Sequence, residues 1–446
     1  MLELLARLHW HVCKRYEKPG FHTILRALRR EPLLSPEAWQ ELQMSRLRAI
    51  LQLAGENVPY YRRLFHEAGF NPESARLPDG FHKLPILTKR ELTEHRNDLF
   101  NTAVSENRRF KNASGGSTGK PVVFWQDRDY ERIATACDSY VCGWWGIVPG
   151  TRQASVWGAD RDFGELTWRA RFYNWRARSR GLNAFRMTES GMLQFCKMLE
   201  SWKPPYLIGY ASALYHFAKF AESSGFRHLR FRAIRSSAEM LYPEYRSVIE
   251  QVFQSRVFNF YGSREINNLA AECSENGCLH LISSWRYVEI TDEAGNPVSD
   301  GVPGYITVTD CGNQAMPFIR YRNEDVGTMC HVPCSCGRPM PILKSLLGRS
   351  SDLIRTRSGK LIHGEFFTHL FYGRDDIESF QVQQRSKDKL IVQYVPKDES
   401  AHLFAHGLRE TIMREMEGNV CIEFVPCLSI PVPPSGKHRF TISEVN

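Results

Sequence analysis

The sequence predicts an α/β protein with a large N-terminal unit, part of it β-rich, followed by a small mobile α+β unit. Three observations predict it. Short β-type runs alternate with helix-type runs between residues 111 and 272, the pattern of a strand–helix sheet. After Cys273 the chain turns strand-rich, and 446 residues are too many for one ordinary core.

Residues 1–110 are expected to form a helical cap. Apolar residues recur at helical spacing in PEAWQELQMSRLRAILQLAGENV, with a break at Pro59. Residues 111–272 make the α/β core: VVFW, PPYLIGY, FRAIRSS and RVFNFY as strands, SALYHFAKFAESSG and PEYRSVIEQVF as helices. Residues 273–347 follow as a β-rich subdomain, with RYVEITDE, the turn AGNP, GYITVTD and PFIRYR. Together these form the large unit, 1–347. A basic, turn-rich stretch near Gly348 marks a hinge, and 348–446 is the small unit, with strands in ESFQVQQRSKDKLIVQYVP and a helix around HLFAHGLRETIMREMEG.

No apolar run approaches the roughly 20 residues that cross a bilayer. The N-terminal stretch MLELLARLHWHVCKRYEKPG lacks the small-residue cleavage site of a signal peptide, so a cytoplasmic protein is expected. That stretch is mildly amphipathic and basic, and packing on the domain is preferred to a membrane-surface role. The net charge of +9 falls in short clusters, such as Arg26, Arg29, Arg30 and Arg169, Arg171, Arg176, Arg178, Arg180. Without a recognition motif, these suit a solvated face or small anionic substrates better than nucleic acid. Twelve cysteines in a long chain argue for thiols or a metal site and against a disulfide framework.

The loop SGGSTGK, from Ser114 to Lys120, combines three glycines, three hydroxyls and one cation, the chemistry of a phosphate cradle. It is not a Walker loop, because the spacing fails and Pro121 stands where a helix should begin. An anion would therefore be held between strands. As a bare pattern, a Gly/Ser loop is more often a plain turn.

In order along the chain, VPYYRRLF, LPILTKREL, NASGGSTGKPVVFW, NFYGSREINNLAAEC, PFIRYRNEDVG, GRSSD and PPSGKHR resemble the signatures of phenylacetate-coenzyme A ligases within the adenylate-forming enzymes. YGSRE with the following EC, and SGKLIHGEFF, are most similar to the branch that includes capsular-polysaccharide biosynthesis proteins. The resemblance implies an ATP-dependent ligase that forms an acyl-AMP and passes the acyl group to coenzyme A, or alternatively to an amine. It implies that Ser114, Gly116, Ser117, Thr118 and Lys120 hold the ATP phosphates, that Glu265 holds Mg2+, and that Ala238, Glu239, Tyr261 and Gly262 adjoin the adenine. Asp325 would accept the ribose hydroxyls beside Arg349, Lys437 would close over the α-phosphate, and Asp352 would be the hinge. By position, Tyr210, Ala211, Ser212 and Trp157 would line the acyl pocket, although Tyr and Trp are equally core residues. Arg264 departs from the family's usual Ser or Thr before the magnesium glutamate, and a guanidinium there can bind a phosphate or a carboxylate.

Cys273, His280, Cys334 and Cys336 offer three thiolates and an imidazole, a set that suits a structural Zn2+, with Cys278 and Cys330 as rival ligands and ordinary reduced cysteines as the alternative. Some relatives of the resembled family carry zinc at similar positions. The competing function classes are a basic polyanion-binding protein and a nucleotide-binding scaffold without turnover. The first needs no carboxylate placed for magnesium and no mobile lysine, and pyrophosphate exchange separates both from a ligase.

Overall fold

The computed structural model describes residues 2–114, 122–158, 178–349, 352–362, 364–371, 376–401, 407–418, 420–431 and 439–445. Gly116, Ser117, Thr118, Lys120 and Lys437 lie outside the described residues, as do Arg169, Arg171 and Arg176.

The described residues up to Arg108 are mostly helical, as the periodicity predicts. Helices α1 (Leu2–Glu17) and α2 (Phe21–Leu28) precede α3 (Pro36–Asn57), which opens on a Ser35 side chain accepting from the Ala38 N–H, with Pro36 in the first turn. The expected break falls at Val58, which is extended at φ −117° and ψ 110°, and Pro59 starts α4 (Pro59–Glu67). A capping box between Thr88 and Glu91 opens α5 (Lys89–Glu94).

Strands β1 (Arg109–Ala113) and β2 (Val123–Asp127) form an antiparallel hairpin. Its connection is the Gly/Ser loop, and Ser114 closes the hairpin, with its N–H on the Val122 carbonyl and its hydroxyl accepting from the Val122 N–H. Both ends of the Gly/Ser segment thus adjoin strands, in keeping with its failed Walker spacing. Asp127 ends β2, caps α6 (Arg128–Trp144) through the Tyr130 N–H, and holds the Gln314 and Ala315 N–H groups with its second oxygen.

The remaining large-unit strands join one eleven-stranded sheet. Its parallel part comprises β3 (Gln153–Trp157), β4 (Ser179–Asn183), β5 (Tyr206–Tyr210), β6 (Ala233–Ser237) and β7 (Val257–Tyr261). Helices α7 (Glu189–Trp202), α8 (Ala211–Ser223) and α9 (Pro243–Phe253) connect these strands and bury one face in a shared apolar cluster. Largely buried, β5, β6 and β7 read as apolar-rich runs and were legible in the sequence, whereas β3 and β4 mix in polar residues and were not. The strand-rich stretch after Cys273 continues the same sheet in antiparallel fashion: β8 (Ala270–Glu272), β9 (Leu279–Leu281), β10 (Arg286–Thr291), β11 (Gly304–Asp310), β12 (Tyr321–Cys330) and β13 (Ile342–Arg349). The N-terminal helices pack over it. Leu47, Ile50, Leu51 and Tyr61 share a core with Tyr261, Ile266, Phe318 and Tyr321, so the cap directly supports the segment carrying Glu265.

The C-terminal residues have their own core. Strands β14 (Ile354–Arg355) and β15 (Leu361–Ile362) pair, and β16 (Ile377–Ser386), β17 (Lys389–Pro396), β18 (Cys421–Pro426) and β19 (Thr441–Ser443) form a four-stranded sheet. Helices α10 (Gly364–Phe371) and α11 (Arg409–Glu415) contribute residues to the apolar cluster of Phe367, Val382, Leu390, Val392 and Ile412. Among the described residues, no helix is long and apolar enough to cross a membrane.

Candidate active site at the carboxyl edge of the sheet

In the parallel part of the sheet β3 leads outward to β4, whereas β5, β6 and β7 follow on the other side of β3. The topological switch falls between β3 and β5, and ligands of open α/β sheets bind outside the carboxyl ends of strands at such a point. Of the sequence-predicted residues, Trp157 and Tyr210 end the two strands that flank this point, and Ser212 follows in the next helix. The ring centroids of Trp157 and Tyr210 lie 4.3 Å apart, and Phe185 also stacks on Tyr210, at 6.0 Å. Phe185 was missed in the sequence, where a lone aromatic after a strand carries no signal.

Beyond β6 the chain turns through Ala238, at φ 67°, which directs Glu239 back onto the first turn of α8. Glu239 Oε2 accepts from the Ser212 N–H at 2.9 Å and from its hydroxyl at 2.7 Å. A carboxylate on a helix N-terminus satisfies orphan donors and meets the positive end of the dipole. Glu239 and Ser212 thus form one unit. Ala211 corrects an expectation: it is 0% exposed within the apolar core and cannot line a pocket, because the first turn of α8 points its small side chain at the sheet.

Tyr261, at the end of β7, donates its hydroxyl to Asp325 Oδ2 at 2.6 Å and accepts from Asn323 Nδ2 at 2.7 Å. Burial, with the charge of Asp325 added, raises the phenol well above its usual range, so Tyr261 stays a donor. Asp325 pairs with Arg349 in the register of β12 and β13, the guanidinium Nε lying 3.9 Å from Oδ1. Burial pushes the Asp325 carboxyl up, opposed by Arg349, the Tyr261 hydrogen bond and Lys89. Arg349 is itself desolvated, but the charges of Asp325, Asp352, Glu265 and Glu324 outweigh that and raise its pKa. One guanidinium therefore links three residues that the sequence predicted separately.

Glu265 is 7% exposed and accepts from the Tyr321 hydroxyl at 3.5 Å. Its backbone is fixed from β2 and α6, Gln126 Nε2 donating to the carbonyls of Arg264 and Glu265, and the Tyr130 hydroxyl to that of Glu265. Arg264 is exposed. Gly262 is required where it stands, since a Cβ there would lie 2.8 Å from the Asn268 backbone N. Asp352 binds Arg439 through its carboxylate and Thr441 through its carbonyl, which ties it to the strand that follows the expected position of Lys437.

The four expected metal ligands converge. The donor atoms of Cys273, His280, Cys334 and Cys336 all lie within 4.8 Å of one another. A tight turn with Gly277 at φ +70° joins β8 to β9 between Cys273 and His280. His280 Nδ1 donates to the Met340 carbonyl at 3.1 Å, leaving Nε2, 3.3 Å from Cys336 Sγ, as the lone-pair nitrogen. Asn276 donates to Cys273 Sγ and Cys334 Sγ, and although burial opposes it, hydrogen bonds from the Cys336 N–H and Asn276 lower the Cys334 thiol. The donor set and its outer hydrogen bonds fit Zn2+. Neither rival, Cys278 nor Cys330, belongs to this group of four.

A cavity of about 410 Å³ opens between the β1–β2 hairpin, α6 and the Asn267–Asn268 segment, away from Trp157 and Tyr210. Its lining was not identified from the sequence.

Residues 354–444 match the CapK C-terminal domain family. The chain is 26% identical over 436 residues to phenylacetate-coenzyme A ligase of Thermus thermophilus, covering 91% of this chain and 94% of the relative. It is 24% identical over 415 residues to protein CapK of Staphylococcus aureus, covering 91% and 89%. Among solved structures, 2-hydroxyisobutyryl-CoA ligase in the postadenylation state, in complex with R3-HIB-AMP, superposes with a TM-score of 0.72 at 21% identity over 93% of this chain and 91% of that one. The thioesterification state of that ligase, with 2-HIB-AMP and CoA, gives 0.63 at 22% identity over 94% and 92%. The fold is that of the adenylate-forming ligases, and the relationship to phenylacetate-coenzyme A ligase and CapK implied by the motifs extends over most of the chain.

Proposed function

We propose that this relative of phenylacetate-coenzyme A ligases and CapK activates a carboxylic acid as an acyl-AMP and transfers the acyl group to coenzyme A. The carrying observation is the set of Tyr261, Asp325, Arg349 and Glu265, with the Glu265 segment held by Gln126 of the hairpin whose two strands the Gly/Ser segment connects. Asp325 accepts from the ribose hydroxyls while Tyr261 and Arg349 fix its carboxylate. Ser114, Gly116, Ser117, Thr118 and Lys120 hold the ATP phosphates, and Ala238, Glu239 and Gly262 form the rim near the adenine. Trp157, Tyr210 and Ser212 lie at the switch point, where they border the acyl-adenylate.

Glu265 is the carboxylate that would hold Mg2+, which when bound neutralises charge on the departing pyrophosphate. An oxygen of the substrate carboxylate attacks the α-phosphorus, and the bond to pyrophosphate breaks. Lys437 and Arg264 supply the cations that this accumulation of negative charge requires. The large unit 1–347 and the small unit 348–446 then turn about Asp352, withdrawing Lys437 and admitting the thiol, whose sulfur attacks the acyl carbon as AMP leaves. An amine acceptor, giving an amide, is the second reading, favoured by the CapK-type C-terminal domain. Cys273, His280, Cys334 and Cys336 would hold Zn2+ as a structural pin on β8, β9 and the approach to β13. A cytoplasmic setting supplies both ATP and coenzyme A and keeps the cysteines reduced.

ATP–pyrophosphate exchange against a panel of acids tests the reading, comparing wild type with Lys437→Ala and Glu265→Gln. Exchange that depends on one acid class and collapses in both variants is expected. ATP binding without exchange for any acid would refute adenylation and leave a nucleotide-binding scaffold. Product analysis with coenzyme A or an amine then separates thioester from amide.

A further inference from the structure

We infer that the outward face of α1 docks the protein on an anionic lipid bilayer, a peripheral contact that does not depend on the adenylation chemistry.

The helix is turned apolar side out. A surface helix ordinarily buries its apolar stripe and shows water its polar face. On α1, Leu4, Leu5, Leu8, Val12 and Tyr16 are all exposed, Leu8 at 63% and Tyr16 at 79%. Leu4, Leu8, Val12 and Tyr16 recur every four residues with Leu5 beside them, so they share one side of the helix over three turns. Packing uses other positions: Trp10 meets Phe21 of α2 edge-on at 5.6 Å, and His11 meets His22 at 3.1 Å. The packing on the domain expected from the sequence therefore leaves the apolar side of α1 uncovered. Of the twelve large apolar side chains exposed among the described residues, five stand on this helix, and the other seven are scattered along the chain. Single exposed apolar residues are ordinary, whereas a contiguous stripe marks an interaction surface.

Charge says what covers it. Residues 1–30 hold seven Lys and Arg against two Glu. Lys14 pairs with Glu17, and Lys18 with Glu131. Arg15, Arg26, Arg29 and Arg30 are exposed, and none of them forms an ion pair among the described residues. Arg15 stands on the apolar side itself, three residues after Val12, while Arg26 lies in the last turn of α2 and Arg29 at its end. An apolar stripe bordered by guanidiniums suits an anionic bilayer: the acyl boundary takes the leucines, the headgroup level takes the Tyr16 ring and the lipid phosphates take the arginines. A second copy of this chain fits less well. A two-fold contact along the stripe would set Arg15 against its own equivalent, and the stripe positions carry no carboxylate to answer it.

The test is co-sedimentation of the full chain with vesicles of mixed phosphatidylglycerol and phosphatidylcholine, and with vesicles of phosphatidylcholine alone. We expect binding to the anionic vesicles, none to the neutral ones, and several-fold weaker binding when salt is raised to about 0.5 M. Leu8→Glu combined with Val12→Glu should weaken vesicle binding by about tenfold or more while thermal unfolding is unchanged. Should that variant misfold by circular dichroism, Arg15→Glu combined with Arg29→Glu, which alters only exposed charge, carries the same expectation. No binding to anionic vesicles at low salt, or equal binding by a folded variant, would overturn the inference. A wild-type dimer that the substitutions split, without vesicle binding, would overturn it too and assign the stripe to a second copy.

Discussion

Tyr261 and Asp325, 64 residues apart in sequence, are joined by a 2.6 Å hydrogen bond from the phenol to the carboxylate, so the end of a parallel strand fixes the acid of an antiparallel one. This bond spans the two halves of the large sheet. Replacing Tyr261 with Phe leaves a buried carboxylate one donor short, which should cost about 1–3 kcal/mol of stability. ATP affinity should fall with it, because Asp325 loses the group that orients it. Calorimetric titration of ATP beside thermal unfolding checks this, and unchanged ATP binding would remove Asp325 from the nucleotide site.

Gly262 follows Tyr261 and admits no side chain. A Cβ there would approach the Asn268 backbone N to 2.8 Å and the Ile266 carbonyl to 3.3 Å, so Gly262→Ala must displace the segment that carries Glu265. Misplacing a reacting group by about 1 Å can cost a hundredfold in rate. Pyrophosphate exchange in Gly262→Ala should drop by about tenfold or more, and the unfolding temperature should fall too, because the atoms met are backbone. Gly209→Ala, whose Cβ would meet the Leu214 side chain at 2.5 Å, should instead lower stability by about 1–3 kcal/mol.

β5, β6, β7, α8 and α9 of the parallel sheet were legible as apolar-rich runs bounded by turn residues, down to α9 starting at Pro243 and β7 ending at Tyr261, whereas β3 and β4, whose sequences QASVW and SRGLN mix polar residues, were not. The Val58–Pro59 break was legible because proline restricts the residue before it. The site's internal wiring was not. That Glu239 caps α8, or that Gln126 holds Glu265, depends on how distant segments pack, and no local pattern encodes it. Ala211 was misjudged for a related reason: a loop-to-helix junction exposes one residue and buries the next, and the face is chosen by the sheet beneath.

At the N-terminus, His11 Nδ1 and His22 Nε2 lie 3.1 Å apart on α1 and α2. Both pKa values are lowered, His11 by burial and then His22 and Arg29, His22 by burial and then Arg15 and Arg26. Below the ordinary value of 6.5 the unfolded chain binds protons that the folded chain does not, so stability rises with pH through that window and is lost on acidification. Unfolding temperature should fall as pH drops through 6.5, and His22→Gln should flatten that dependence. An identical pH profile in the variant would show that the pair is not linked to folding.

Cys273 and His280 flank the turn from β8 to β9, and Cys334 and Cys336 reach them from the segment before β13. A metal there would cross-link two parts of the chain, and the binding free energy of a structural zinc adds directly to folding. Protein purified without added metal should contain about one zinc per chain by elemental analysis, and a strong chelator should lower its unfolding temperature. Cys273→Ser should lose the zinc and reproduce the chelator's effect, because Cys273 is fully buried and its replacement removes a thiolate from the group. Cys278→Ser should keep it, since Cys278 stands outside the group of four. Zinc retained in Cys273→Ser but lost in Cys278→Ser would reassign the ligands, and no zinc in the wild type would reduce the cluster to buried thiols.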